Sequence, residues 1–117
     1  MSKLYVVGTG PGDLNRMTLE AREALEAAQV VVGYKSYLEL VAPLLVGKEV
    51  ISTGMMKEVE RCREALRIAS SGKVTALVSG GDAGIYGMAG LVLELVEAGR
   101  VGEEAAVSKT VRLARAS

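Results

Sequence analysis

The sequence has 117 residues, half of them apolar, so we expect one ordinary domain with a single core. Its 14 acidic residues balance 14 basic residues, and this net charge gives no reason to expect nucleic acid or an anionic membrane as a partner. A lone cysteine (Cys62) and the lack of any histidine exclude Ser-His-Asp and Cys-His catalysis and an internal disulfide, and they remove the commonest transition-metal ligand. No apolar run is long enough to span a bilayer or to act as a secretory signal, so we expect a cytoplasmic protein with neither a membrane segment nor a metal site.

A strand and a helix are predicted at the start of the chain. Leu4–Gly8 (LYVVG) is short and β-branched and is followed by glycines, which is typical of a buried strand that runs into a loop. Thr18–Ala28 consists of strong helix formers. Thr18 can serve as its N-cap, and Glu20 lies near the positive end of the helix dipole.

The next segments repeat this pattern. Val30–Gly33 (VVVG) predicts a second strand, and Tyr34–Val41 predicts a short helix that stops before Pro43. Glu49–Ser52 (EVIS) predicts a third strand.

Lys57–Ser70 predicts a surface helix with one buried face. Opposite charges at i,i+3 spacing, such as Glu58–Arg61 and Glu64–Arg67, would lie on its solvated side. The apolar or small residues of the buried stripe are Val59, Cys62, Leu66 and Ala69. Because Cys62 belongs to this stripe, we interpret it as a packed thiol rather than a nucleophile.

The last predicted strand is Lys73–Ser79, and the helix Tyr86–Ala98 follows it. Apolar residues cover most of the circumference of this helix, so we expect it to be largely buried or to face a partner. Arg100–Ser117 is only weakly periodic, and both a strand and a frayed helix remain open there. Alternating strands and helices imply an α/β fold, with an open, mainly parallel sheet, helices on both faces and right-handed crossovers.

Two glycine clusters follow the first and fourth predicted strands. The first, Gly8–Asp13 (GTGPGD), is not a dinucleotide fingerprint, because Asp13 occupies the place of the third glycine and no acidic residue closes the second strand. It is not a P-loop either, since no Gly-Lys-Ser/Thr follows. A tight turn without a ligand and a loop that allows close backbone approach to a ligand both remain open.

The second cluster, Gly80–Gly87 (GGDAGIYG), holds a single carboxylate, Asp82. This residue could cap the following helix, or it could face a polar, partly cationic ligand together with exposed backbone amides. In a parallel sheet both clusters leave the carboxyl edge, where open α/β sheets bind their ligands. Their coincidence at one edge favours a binding site.

Several segments resemble a known family. Residues 5–21 (YVVGTGPGDL, then MTLEA) resemble the opening motif of the tetrapyrrole methylase family, and residues 79–88 (SGGDAGIYGM) resemble its second motif. Together with residues 33–37 (GYKSY) and 50–55 (VISTGM), they are most similar to the branch that methylates precorrin-3B at carbon 17 in cobalamin biosynthesis. The resemblance covers residues 3 to 99.

The resemblance implies that S-adenosylmethionine binds in a cleft between two α/β lobes. The implied cofactor-binding residues come from the two glycine clusters: Gly10, Pro11, Gly80, Gly81, Asp82 and Ile85. Asp82 is the first candidate, because a carboxylate can accept hydrogen bonds from amino or hydroxyl groups and favours nearby positive charge. Candidates for contact with the tetrapyrrole are Tyr34, Lys35 and Tyr37, and the alternative for each is an exposed or half-buried helix residue.

The implied activity is transfer of a methyl group to a ring carbon, with ring contraction, in porphyrin metabolism. Positioning of donor and acceptor is the enzyme's main task in such a reaction, and no catalytic acid or base is assigned. Residues 1–99 are expected to form the amino-terminal lobe and residues 100–117 an atypical tail, with the second lobe absent. A homodimer is expected, because two-fold pairing would cover the apolar helix Tyr86–Ala98.

Two further hypotheses remain open. The chain could be a non-catalytic half-domain that binds the cofactor or serves in assembly. It could also be another methyltransferase of the same fold, acting on a different precorrin, a diphthamide precursor or ribosomal RNA ribose. A net charge of zero disfavours the RNA substrate.

Overall fold

The structure, a computed structural model, describes residues 3–8, 17–54, 58–99 and 111–114, and it describes the backbone alone for residues 81–86, 98, 99 and 111–114. The strands are β1 (Lys3–Gly8), β2 (Val30–Tyr34), β3 (Glu49–Thr53), β4 (Val74–Ser79) and β5 (Val111–Ala114). The helices are α1 (Leu19–Ala27), α2 (Lys35–Leu40), α3 (Glu58–Ser70) and α4 (Gly81–Gly99), with a 3₁₀ helix at Ala42–Leu44.

The strands form one open sheet in the order β3-β2-β4-β1-β5, and every neighbouring pair is parallel. The central strands are aliphatic and buried, as expected for strands that are covered on both faces. The predicted α/β architecture is therefore confirmed. Among the described residues, no helix combines the length and apolar character that crossing a bilayer requires.

Alternate residues of β1, β2 and β4 supply two separate cores. On one face, Leu77 of β4 packs in the cluster formed with α3 and α4, and on the other face Val78 packs in the cluster formed with α1 and α2. Helices α1 and α2 thus follow connections that run towards β3, whereas α3 and α4 follow connections that run towards β5. Opposite directions on opposite faces give all four crossovers the same hand, as the rule for parallel sheets requires.

The predicted boundaries of the first helices are confirmed within a residue or two. Thr18 caps α1, since its hydroxyl accepts a hydrogen bond from the backbone N–H of Ala21 at 3.1 Å.

Helix α4 differs from the prediction at its start. It begins at Gly81 rather than Tyr86, so most of the second glycine cluster is helical, although glycine disfavours helix by about 1 kcal/mol per residue. Tertiary packing overrides this cost, because one stripe of the helix lies in the core: Met88, Ala89, Val92 and Val96. The opposite side is not buried within this chain, since Leu93 is 42% exposed, and the alternative expectation, that this side faces a partner, stays a prediction.

The carboxyl-terminal stretch contributes β5, which pairs with β1 in the register Leu4–Val111 to Val7–Ala114. The sequence left a strand and a frayed helix open there. The strand is favoured because the edge of β1 offers it a complete set of backbone partners.

Cys62 is buried in the core, as the spacing predicts, and its thiol lies 3.0 Å from the sulfur of Met88. Burial raises the pKa of the Cys62 thiol to about 11, with a smaller contribution from the charge of Glu58. The side chain is therefore a protonated core thiol at neutral pH rather than a nucleophile.

Lys48 links the end of α1 to the start of β3. Its ammonium donates hydrogen bonds to the backbone carbonyls of Glu26 at 2.8 Å and Ala28 at 2.7 Å. These carbonyls belong to the end of the helix, where they lack partners within the helix and where positive charge is favourable.

Replacing Lys48 with Met is expected to lower the free energy of unfolding by about 1–2 kcal/mol, since two hydrogen bonds from a charged donor are lost. Urea denaturation would measure it. Lys73→Met is the matched control, because the ammonium of Lys73 lies 3.6 Å from the carboxylate of Glu49 and both side chains are more than half exposed. A pair of this kind contributes about 0.5 kcal/mol or less. Equal unfolding midpoints for the two variants would contradict the capping role of Lys48.

Candidate functional site

The candidate site lies where β1 and β4 end side by side. These strands pair in parallel up to Gly8 and Ser79, which are register partners. The chain leaves β1 towards β2 and leaves β4 towards β5, with the following helices on opposite faces. This divergence marks a topological switch point, and open α/β sheets bind ligands in the crevice at such a point.

The predicted convergence of the two glycine clusters is confirmed for the strand ends from which they leave. Gly80 and Gly81 directly follow β4, and Gly8, the last residue of β1, opens the first cluster. Asp82 and Ile85 belong to the first turns of α4, where the backbone alone is described. Gly10 and Pro11 lie outside the described residues.

The amino terminus of α4 makes this edge polar. The first N–H groups of a helix have no partners within the helix, and they carry partial positive charge. Immediately before them, the hydroxyl of Ser79 is buried, with the residue 3% exposed, and has no hydrogen-bond partner within the described part of the chain. A buried hydroxyl without a partner is unfavourable by about 1–3 kcal/mol, so this group is suited to a polar ligand.

Tyr37 packs directly against the glycine that opens the second cluster. A Cβ atom placed on Gly80 would lie 2.8 Å from both Cε1 and Cζ of the Tyr37 ring. Gly80 has no positive φ, so its lack of a side chain serves the close approach of this ring rather than an unusual backbone conformation. The contact joins α2 to the residue that directly precedes α4.

Tyr34 and Tyr37 form an aromatic pair. Their ring centroids are 5.8 Å apart and the rings meet edge to face at 63°, a geometry that the ring quadrupoles favour. The guanidinium carbon of Arg61 lies 5.7 Å from the centroid of the Tyr34 ring, which is within the range of a cation–π interaction. Two of the three residues predicted to contact the tetrapyrrole are therefore in contact with each other.

Arg61 is buried, and its predicted position on the solvated side of α3 is wrong. Its spacing from Glu58 placed it on the solvated side of α3, but the residue is 6% exposed. Its Nε donates a hydrogen bond of 2.7 Å to the hydroxyl of Thr53, which in turn donates to the carbonyl oxygen of Gly33 at 3.1 Å. Arg61 thus ties α3 to the carboxyl ends of β2 and β3.

The buried side of α3 is wider than the predicted stripe and is rotated relative to it. Val59 was expected inside and is 38% exposed, whereas Arg61, Ala65 and Ile68 are buried. The spacing of these three residues, i, i+4 and i+7, was the available signal. This spacing does not indicate a buried stripe by itself, because arginine is rarely buried without partners and Arg61 is therefore assigned to the solvated side. The predicted ion pair between Glu64 and Arg67 is present at 2.6 Å.

Lys35 lies apart from the tyrosine pair. It lines a pocket of about 350 Å³ between α2, the 3₁₀ helix and β3, together with apolar residues that include Leu38, Leu45 and Val50. The three tetrapyrrole candidates are therefore divided between two surfaces. Within the described residues, no group of three His, Cys, Asp or Glu side chains is placed to hold a metal ion.

The sequence model of the tetrapyrrole (corrin/porphyrin) methylases matches residues 3–107 of the chain. The chain belongs to the tetrapyrrole methylase family. It is 59% identical, over 93 residues, to a probable cobalt-factor III C(17)-methyltransferase of Salmonella typhimurium. It is 41% identical, over 96 residues, to a precorrin-3B C(17)-methyltransferase of a Sinorhizobium species. These matches cover 80% and 82% of this chain, but 39% and 37% of the two relatives.

Solved structures of family members share the fold. The methyltransferase CobJ superposes with a TM-score of 0.81 and 32% identity, covering the whole chain and 48% of CobJ. The uroporphyrin-III C-methyltransferase of Thermus thermophilus in complex with S-adenosylhomocysteine superposes with a TM-score of 0.66 and 30% identity, covering 97% of this chain and 44% of that one. The chain therefore spans less than half the length of the family members that it matches.

Proposed function

We propose that this chain is the cofactor-binding lobe of an S-adenosylmethionine-dependent methyltransferase of cobalamin biosynthesis, which methylates precorrin-3B or its cobalt-containing counterpart at carbon 17 with ring contraction. The observation that carries the proposal is that β1 and β4, each followed in the sequence by a glycine cluster, end side by side at the switch point. The two relatives named for C(17) methylation support this choice of substrate. We place the enzyme in the cytoplasm, where a small-molecule pathway of this kind would operate.

The residues at this edge fit S-adenosylmethionine. The first N–H groups of α4, which have no partners within the helix, can donate to its oxygen atoms, and the hydroxyl of Ser79 is buried and unpartnered in the described part of the chain. The proposed binding residues are Gly10, Pro11, Gly80, Gly81, Asp82 and Ile85. Among them, Asp82 supplies a carboxylate that accepts hydrogen bonds and favours the positive charge of the cofactor.

When bound, S-adenosylmethionine supplies a methyl group on a positively charged sulfur, and its transfer to a nucleophilic ring carbon leaves a neutral thioether. The protein's part is then to orient the two partners and to keep water out, as the proximity argument requires. Glycines at positions 80 and 81 let the backbone approach closely. The ring of Tyr37 lies directly against Gly80.

The tetrapyrrole would lie against the pair formed by Tyr34 and Tyr37, at the same edge of the sheet. An aromatic surface suits the flat, partly conjugated ring system. Lys35 follows Tyr34 in the sequence, and its exposed side chain lines the apolar pocket. There its ammonium could bind a peripheral carboxylate of the substrate.

We propose residues 1–99 as the amino-terminal lobe of the enzyme, with β5, from residues 100–117, extending its sheet along β1. The relatives are more than twice as long as the matched region. A second lobe, formed by a region that corresponds to the rest of these relatives, would complete the cleft. A homodimer would cover exposed apolar surface.

A methyl-transfer assay tests the proposal. The chain continued by the carboxyl-terminal part of the Salmonella typhimurium relative, the two-lobed version, would be incubated with methyl-deuterated S-adenosylmethionine and either precorrin-3B or cobalt-factor III. We expect mass spectrometry to find one labelled methyl group in the product. Cofactor binding without transfer to either substrate would favour a non-catalytic half-domain, and transfer to a different precorrin would favour another methylase of this fold.

A further inference from the structure

We propose that Arg61 is a positioning residue for the cofactor site: through Tyr34 it holds the ring of Tyr37 against Gly80, and so fixes the start of α4. The inference rests on the proposed function, because it assumes that the cofactor binds beside Gly80. Arg61 itself lies on α3 and is buried. It acts through two aromatic rings rather than by contact with the cofactor.

The first link joins Arg61 to the strand ends. Its Nε donates to the hydroxyl of Thr53 at 2.7 Å, and this hydroxyl donates to the carbonyl of Gly33 at 3.1 Å. A hydrogen bond from a charged donor inside the protein fixes orientation more strictly than packing alone. The guanidinium is therefore anchored to β2 and β3 at the residues where they approach the carboxyl edge.

The second link joins the guanidinium to the tyrosine pair. It lies 5.7 Å from the Tyr34 ring centroid, and Tyr34 meets Tyr37 edge to face at 5.8 Å. A cation beside one ring and an edge-to-face contact on the next restrict the rotamers of both rings. Both rings lie in or next to the short helix α2, which begins at Lys35.

The third link joins Tyr37 to the second glycine cluster. The ring leaves no room for a Cβ atom on Gly80, which would lie 2.8 Å from two ring carbons. Displacement of the ring would therefore open space beside Gly80 and release the backbone that leads into α4. Since the first N–H groups of α4 are the proposed donors to the cofactor, their position depends on this contact.

A double-mutant cycle in the two-lobed version tests this chain of contacts, with S-adenosylhomocysteine as the probe and calorimetry as the measurement. Arg61→Met removes the charge and the Nε donor and is expected to raise the dissociation constant about tenfold. Arg61→Lys keeps a cation beside Tyr34 and should recover part of the loss. The matched control is Arg63→Met, which lies on the exposed side of the same helix and should leave binding unchanged.

The decisive measurement is made in a Tyr37→Ala background. If Arg61 acts through Tyr37, Arg61→Met has little further effect there, whereas a general loss of stability would add to the effect of Tyr37→Ala. Should Arg61→Met fail to fold, Tyr34→Leu interrupts the same chain and enters the same cycle. Additive effects, or unchanged affinity in Arg61→Met, would overturn the inference. A folded two-lobed version that binds no S-adenosylhomocysteine would instead overturn the proposed function.

Discussion

Replacing Asp82 with Asn in the two-lobed version is expected to weaken binding of S-adenosylmethionine by roughly ten- to hundredfold, because a hydrogen bond to a charged group contributes about 1.5–3 kcal/mol. The substitution keeps the shape of the side chain and removes its charge. Position 82 is the second residue of α4, which follows the end of β4 at the carboxyl edge of the sheet. A carboxylate there is expected to bind the ligand rather than to pack.

Calorimetry with both S-adenosylmethionine and S-adenosylhomocysteine would define the role of this carboxylate. A larger loss for the sulfonium compound indicates attraction to its positive charge, and equal losses indicate hydrogen bonds to amino or hydroxyl groups that both compounds share. Glu94→Gln is the matched control, since Glu94 is an exposed carboxylate farther along α4.

A purely structural role for Asp82 predicts a different result. A carboxylate in the first turn of a helix stabilises it by about 0.3–1 kcal/mol through the helix dipole, with or without a ligand. Asp82→Asn would then lower the melting temperature and leave the affinity unchanged. That outcome would remove Asp82 from the binding site.

The sequence predicts the sheet well because its signals are local. Each of the first four strands is a short, β-branched run that ends at or next to a glycine or a polar residue, and the helices have breakers or caps at one end, such as Thr18 before α1 or Gly72 after α3. Parallel pairing then follows from the alternation of strands and helices. The start of α4 was missed because glycines weaken the local helix signal, whereas packing of the following turns decides the structure.

The candidate site is predictable only in part, for a related reason. The departure of both clusters from one edge of the sheet follows from topology, but the contacts of Arg61 depend on which way α3 rotates over the sheet. A charged residue on an amphipathic helix is normally assigned to solvent. Its burial becomes visible once Thr53 and Tyr34 are known to end adjacent strands beneath it.

The 117-residue chain by itself is expected to bind the cofactor at least about tenfold more weakly than the two-lobed version, to show no turnover and to self-associate. A cleft formed by one lobe alone lacks part of the contacts that orient the methyl donor. We expect the contact between copies to involve β3 more than α4. Within the described residues, this edge strand pairs on one side alone, and exposed apolar residues lie on it or on the segments that precede it: Leu40, Val46 and Val50.

Sedimentation and a methyl-transfer assay on one preparation would test these expectations. Val50→Lys places a charge on the edge strand and should weaken self-association by roughly tenfold or more. Val59→Lys is the matched control, because Val59 is 38% exposed against 41% for Val50 but lies on α3. Association that Val50→Lys leaves intact would exclude β3 as the contact. A monomer with measurable turnover would show that this lobe alone forms a working site. The switch point at β1 and β4 would then orient donor and acceptor without a second lobe.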